Sequence, residues 1–218
     1  IWEFVQNNKS QIEGQIKQMG ASVDWSRYTF TLDPHVIETV YTTFAKMFKQ
    51  GLVYRDNYMV NYCPKCGTTF ADLEILHEER VGKLYYVRYK VQGESEKYIT
   101  VATTRPETIM LDTHIAVNPK DKKRASWIGK KVINPLTNID MEIIGDEFVD
   151  PNFGTGFVKL TPAHDKNDYE AGKKHNLPFI VGIGMDGRMT SAAGRWAGKT
   201  VFTAREEVVK ELTEIGAI

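Results

Sequence analysis

The chain has 218 residues, 42% of them hydrophobic and 26% charged, a balance ordinary for a water-facing globular protein with one large domain or one domain plus part of another. Lys and Arg total 28 and Asp and Glu total 28, so there is no global basic field, and a nucleic-acid partner must be met by a local patch. No apolar run reaches the length of a membrane span, the opening "IWEFVQNNKS" is no signal peptide, and a cysteine inventory of Cys63 and Cys66 argues against a disulfide scaffold and suits a reducing cytoplasm. A start without Met reads as a chain cut from something longer.

Ile1, Val5, Ile12, Ile16 and Met19 recur at helical spacing and Gly20 closes the pattern, which predicts a first helix over 1–20. After the loop "ASVDWSRYTFTLDP", Pro34 opens a second helix that runs to about Gln50. Its stripe of Val36, Val40, Phe44 and Phe48 is expected to be core, and Gly51 is its stop. "CPKCG" is a metal knuckle by type. Structural zinc takes four ligands, no second Cys or His pair follows, and His77 stands alone. Two readings stay open for Cys63 and Cys66: half a zinc site completed by ligands outside this chain, or a tight turn without metal.

The segments "KLYYVRYKV" and "EKYITVATT" alternate and are rich in β-branched and aromatic residues, with "QGES" between them, which predicts a hairpin. Further short strands are expected near 114–118, 131–134, 141–145, 156–160 and 179–183, and "MDGRM" carries an Asp-Gly turn. Many short strands with few helices point to a closed or nearly closed β-barrel in a mixed α/β chain. The last segment, "TAREEVVKELTEIGAI", reads as a helix with Thr203 as N-cap and Glu206 at capping-box spacing.

Three stretches carry candidate chemistry. In "ATTRPETIML", Arg105 precedes proline and must be extended, and Pro106 suits a first helical position. Thr103, Thr104 and Arg105 therefore stand at a helix start, where free N–H groups favour anionic or ester oxygens, or else serve as simple caps. "NPKDKKRASWIGKK" packs six basic residues and one acid, a solvated loop unless a nucleic acid is implicated elsewhere. In "GTGFVKLTPAHDKNDYE", Lys159 and Thr161 share one strand face and Val158 and Leu160 the other. Asp165 is a natural N-cap and Asp168 follows in the first turn. Capping explains the two carboxylates but not the ammonium and hydroxyl aimed at the same corner. His164 is a lone histidine, a candidate for acid-base work, and no nucleophile is obvious.

The stretches "GASVDWSRYTFTLDP", "GLVYRDNYMVNYCPKCGTTFADLEI", "TTRPETIMLDTHIAVNP" and "GTGFVKLTPAHDKNDYEAGKKHNLP", in this order and over essentially the whole chain, closely resemble the valyl-tRNA synthetase family. Isoleucyl and leucyl synthetases share the TTRPET block and a GTG-to-Asp block, but "KLTPAHD", "DYE", "DLEI" and "GASVDWSR" look like the valyl family. The resemblance implies that 1–57 is a helical segment from the end of the first half of a Rossmann-type catalytic domain. It implies a knuckle and connector over 58–80 and a β-barrel-like editing domain with peripheral helices over 81–218. The family's "HIGH" and "KMSKS" signatures for ATP are absent, so the chain resembles an editing piece, with ATP and Mg belonging to the parent ligase and no cofactor needed for editing beyond zinc at Cys63 and Cys66 if the knuckle is filled. The implied activity is hydrolysis of threonine wrongly esterified to tRNA(Val), in the cytoplasm, with the rest of the synthetase chain as partner and no membrane. Carried over by position, Asp168 matches the carboxylate that holds the substrate's α-ammonium. Lys159, Thr161 and Asp165 match polar wall residues, with His164 beside them, and Phe153 matches an apolar wall. Arg105, Thr103 and Thr104 match the region for the terminal adenosine and the ester. The family's reaction leans on the tRNA's own ribose hydroxyl, in keeping with the lack of a catalytic base. "GFVKL" stands where "GAVKI" is common, and Phe157 is expected to lie behind the pocket. Other readings are an isoleucyl or leucyl editing domain, a tRNA-binding module without hydrolysis, and a zinc-dependent hydrolase at Cys63 and Cys66.

Overall fold

The computed structural model describes residues 1–79, 81–94 and 96–218. The chain forms two compact units, Ile1–Asn57 and Tyr58–Ile218.

In the first unit, α1 (Trp2–Gln18) ends before Gly20, whose φ of +73° reverses the chain cheaply because glycine has no Cβ. A short 3-10 turn at Trp25–Arg27 is capped by Asp24, which accepts from the Ser26 N–H at 3.1 Å. The loop returns onto α1 through cations on rings: Lys17 lies 4.8 Å from the Trp25 centroid and Lys9 lies 4.6 Å from that of Phe30. The second helix, α2 (Pro34–Lys49), starts at the proline as expected. Its apolar stripe is not core in this unit: Val40, Phe44 and Phe48 are 58%, 54% and 60% exposed. Two helices and a loop supply too little chain to cover both faces of either helix.

The second unit begins with a small hairpin, β1 (Asn61–Cys63) against β2 (Thr68–Phe70). Its main body is a six-stranded sheet of β3 (Tyr85–Val91), β4 (Tyr98–Thr103), β5 (His114–Val117), β6 (Lys131–Ile133), β7 (Asp140–Gly145) and β8 (Phe157–Leu160). The strand order is β4-β3-β6-β7-β5-β8; every pairing is antiparallel except β5 with β7. The edge strands β4 and β8 lie against each other, so the sheet curls into a nearly closed barrel. Alternation along β3 sends Val87, Tyr89 and Val91 inward to meet Ile99, Val101, Ile115, Val132, Met141 and Ile143. A 3-10 segment, Pro106–Leu111, plugs one side with Ile109 and Leu111. Helix α3 spans Lys166–Lys174 and α4 spans Val201–Glu214, the latter burying Ala204, Val208 and Leu212 in the same core.

Two expectations are corrected. The strand near 179–183 is reduced to a single bridge, Ile183 with Met189. Gly182 there lies so close to the plug that a Cβ would meet Leu111 Cδ1 at 2.0 Å, and its N–H is spent on a side chain rather than a ladder. The last helix starts three residues earlier than expected, because Thr200 is the N-cap: its hydroxyl accepts from the Thr203 N–H at 3.2 Å. Two threonines at capping distance compete, and the earlier one adds Val201, Phe202 and Thr203 to the helix.

Candidate functional site

Strand β8 runs through a turn into α3. Asp165 caps that helix, its Oδ1 accepting from the Asn167 N–H at 2.8 Å and the Asp168 N–H at 3.2 Å. Asp168, buried in the first turn, accepts from the Thr161 N–H at 2.8 Å, which ties the helix start to the end of the strand. Burial pushes the Asp168 carboxyl up to about 6, with the nearby carboxylates of Asp165 and Asp112 adding to the rise and the Thr161 N–H and Lys159 opposing it.

Behind this corner lies a buried ion pair. Lys159 Nζ donates to Asp112 Oδ1 at 2.8 Å, Thr108 Oγ1 at 2.8 Å and Thr161 Oγ1 at 2.6 Å, which uses all the protons of an ammonium. The Thr161 hydroxyl in turn donates to Asp112 Oδ1 at 2.7 Å, and the Tyr89 hydroxyl donates to Asp112 Oδ2 at 2.8 Å. Burial raises the Asp112 pKa, while Lys159, Thr161 and Tyr89 pull against that rise. Burial and then the charge of Asp112 raise the Tyr89 hydroxyl well above its ordinary value, so it stays a donor.

Asp112 and Tyr89 stay behind the wall of a cleft of about 400 Å³, whose lining includes Thr103, Thr104, Arg105, Thr108, Phe153, Lys159, Thr161, His164, Asp165 and Asp168. All the substrate and wall residues nominated from sequence thus meet at one place, although they come from three separated stretches. Arg105 is positioned from both sides: its Nη1 donates to the His164 carbonyl at 2.5 Å, and its Nε lies 3.5 Å from Glu107 Oε1. Glu107 is buried and gripped by Arg205 of α4 through two bonds of 2.8 Å. Phe153 stands at the rim, 71% exposed. Phe157 does not line the cleft; it packs edge-on to Trp127 with centroids 6.0 Å apart.

His164 does not suit a base. Its Nε2 accepts from the Gly182 N–H at 2.8 Å, which leaves the ring proton on Nδ1. Burial, then the charges of Arg105 and Lys159, lower its pKa to about 4, so the ring is neutral.

Cys63 and Cys66 lie at the tip of the β1–β2 hairpin, with the Cys66 N–H donating to Cys63 Sγ at 3.4 Å. The Cys66 N–H and side chain are the main influences that lower the Cys63 thiol, and the hydrogen bond to Cys63 raises that of Cys66. Two thiolates are half of a structural zinc set, and among the described residues no group of three or more His, Cys, Asp or Glu gathers to hold a metal. The basic loop is not uniform. Lys122 and Lys123 are exposed, whereas Arg124 is half-buried, paired with Asp121 and packed so tightly that a Cβ on Gly156 would lie 2.6 Å from its guanidinium carbon.

Sequence reasoning missed Asp112, Tyr89, Thr108, Glu107 and Arg205. Asp112 and Glu107 lie within the "TTRPETIMLDTH" block; from sequence Glu107 reads only as a first-turn acid beside Pro106, and Asp112 looks like any other acid until its partner is known. Those partners lie 47 and 98 residues away.

The chain matches the family model of class I tRNA synthetases (I, L, M and V) over residues 1–174. Among curated proteins it is 48% identical to the valine–tRNA ligase of Solibacter usitatus over 100% of the chain and 26% of the relative. It is 45% identical to that of Thermotoga maritima over 99% of the chain and 25% of the relative, and thus spans about a quarter of the length of these relatives. Among solved structures, the ternary complex of Agrobacterium radiobacter K84 agnB2 LeuRS with tRNA and LeuAMS shares the fold, with a TM-score of 0.50 and 22% identity over 99% of this chain and 36% of that one. The chain belongs to the class I tRNA synthetase family of the I, L, M and V enzymes.

Proposed function

We propose that the chain is an editing region that hydrolyses the ester of threonine mischarged on tRNA(Val), as part of a cytoplasmic valine–tRNA ligase whose ATP and Mg chemistry resides elsewhere in the enzyme. The observation that carries this reading is the meeting of Asp168, Thr161, Arg105 and their neighbours round one cleft. The Asp168 carboxylate pairs with the α-ammonium of the esterified amino acid. The Thr161 hydroxyl donates to Asp112 and accepts from Lys159, so its remaining lone pair can take only a further donor. With the α-ammonium held by Asp168, a threonine hydroxyl can supply one; the side chain of valine cannot. A polar site that leaves its groups unpaired with the wrong ligand discriminates far better than an apolar pocket faced with an added hydroxyl, a limit for which the valyl enzyme is the standard example.

Hydrolysis adds water across the ester, releasing threonine and a free ribose hydroxyl. The ester is already activated, so positioning and stabilisation of the developing oxyanion suffice without a protein nucleophile. Arg105, at the cleft wall with its Nη1 fixed on the His164 carbonyl, is the cation assigned to the ester and adenosine. His164, neutral and occupied at Nε2, orients the wall rather than taking the proton, which leaves the tRNA's own ribose hydroxyl to assist. The deciding experiment offers threonyl-tRNA(Val) and valyl-tRNA(Val) to the chain. Faster loss of threonine supports the reading; equal rates remove the selectivity, and no hydrolysis leaves a tRNA-binding module.

The basic loop gives a separate expectation. Lys122→Ala/Lys123→Ala weakens tRNA binding and makes the slope of log affinity against log salt shallower by about one to two, because each lost phosphate contact removes close to one released counterion. Hydrolysis of a small threonyl ester stays unchanged. Filter binding between low and moderate salt checks it, and an unaltered slope returns the loop to solvated surface. Arg124 is left out of this test because its loss would disturb Asp121 and the turn around Gly156.

A further inference from the structure

Beyond His164 and Asp165, which border both, a second cavity of about 780 Å³ adjoins the cleft within the same compact unit. Tyr58, Tyr62, Phe70 and His77 give it aromatic walls, and Lys166 stands exposed at its border. Tyr58 is 76% exposed and held edge-on to Tyr169 at a centroid distance of 6.3 Å. The carboxylates nearby are engaged: Asp72 accepts from Asn61 Nδ2 at 2.7 Å and Asp165 caps α3. Solvent-open rings beside an exposed ammonium are the ingredients of a single-stranded nucleic-acid site, where bases stack and the cation meets the phosphate.

We infer that this second cavity holds the base of the nucleotide that precedes the terminal adenosine of the esterified strand. The inference rests on the proposed function, in which Arg105 marks the adenosine's place. Arg105 is bonded to the His164 carbonyl, and His164 is the wall common to the two cavities. A strand leaving the adenosine's place past His164 therefore enters the aromatic cavity directly, with Lys166 beside the connecting phosphate. The ester end and the preceding base are read by different walls, one polar and one aromatic.

The test uses unesterified ligands, so that binding is read apart from hydrolysis. The trinucleotide cytidylyl-cytidylyl-adenosine should bind the chain at least tenfold more tightly than adenosine 5′-monophosphate in fluorescence titrations. Tyr58→Ala should remove about tenfold of the trinucleotide affinity and leave the mononucleotide unchanged, whereas Tyr58→Phe, which keeps the ring, should behave as wild type. Lys166→Ala should weaken the trinucleotide and reduce its salt dependence. Circular dichroism on each variant excludes unfolding as the cause. A trinucleotide that binds no better than the mononucleotide, or that fails to bind, or a Tyr58→Ala variant with wild-type affinity, overturns the subsite. Loss of hydrolysis on threonyl-tRNA(Val) with trinucleotide binding intact would instead overturn the proposed activity and leave the subsite standing.

Discussion

Asp168→Asn will fold at least as stably as the wild type at pH 8 and will slow deacylation of threonyl-tRNA(Val) by about tenfold to a hundredfold. The rate loss follows from a hydrogen bond to a charged group, roughly 1.5–3 kcal/mol, where each 1.4 kcal/mol is a factor of ten. Asparagine retains the oxygen that accepts from the Thr161 N–H but cannot neutralise an ammonium. The stability expectation comes from the raised pKa. A carboxyl at about 6 when folded and 3.8 when free binds its proton more tightly in the native state. Its contribution is therefore full below about pH 3.8 and is lost as pH rises through 6. Above that, wild type bears the cost of a buried charge, and the neutral amide removes up to about 1–3 kcal/mol of it. The same group sets a pH profile: kcat/KM of the wild type should rise with pH around 6, as the carboxylate forms, and Asp168→Asn should lose that rise. Thermal unfolding and deacylation on one preparation decide the matter. A wild-type rate in Asp168→Asn would reduce Asp168 to a tie between strand and helix.

Lys159→Met should destabilise the barrel unit by about 3–5 kcal/mol, because it strands Asp112 without its counter-ion in the interior. The Lys159 and Asp112 side chains are 10% and 0% exposed, so water cannot replace what the ammonium supplied. Asp112→Asn alone should also be costly, since it leaves the ammonium with hydroxyls and an amide. Lys159→Met combined with Asp112→Asn should recover much of the loss, the two deletions being coupled rather than additive. Urea denaturation of the four proteins completes the cycle, and additive losses would show that the two charges do not depend on each other. Deacylation should stay depressed even in the recovered double variant, because the Thr161 hydroxyl would lose the Lys159 ammonium and the Asp112 carboxylate that fix it.

The distinction between what could and could not be read in advance is physical. The β3–β4 hairpin, the capping of α3 by Asp165 and the two faces of β8 are local: alternation and capping distances state them directly. The residues nominated for the cleft followed from a resemblance, and they could be nominated because they lie within short contiguous blocks. The network behind it was not legible. Asp112 ends a 3-10 segment, where no periodicity announces an inward side chain, and Lys159 looks like any strand lysine until β5 brings the two together. His164 was readable as a residue but not as a tautomer, because the N–H that fixes it belongs to Gly182, in a stretch mistaken for a strand. The stripe on α2 failed for another reason: helical amphipathicity says which face wants cover, not whether the same unit supplies it.

The grip of Arg205 on Glu107 has a consequence for biosynthesis. Arg205 follows Glu107 by 98 residues, and it steadies the acid that flanks Arg105. A ribosome emits a chain from its N-terminus, so the cleft's strands and the α3 turn leave the exit tunnel before the clamp that completes them. Until α4 emerges, Glu107 lacks its bidentate partner and the 3-10 plug lacks the helix that covers it. The nascent barrel should therefore stay open to proteases near Pro106–Leu111 and close only when the last helix docks.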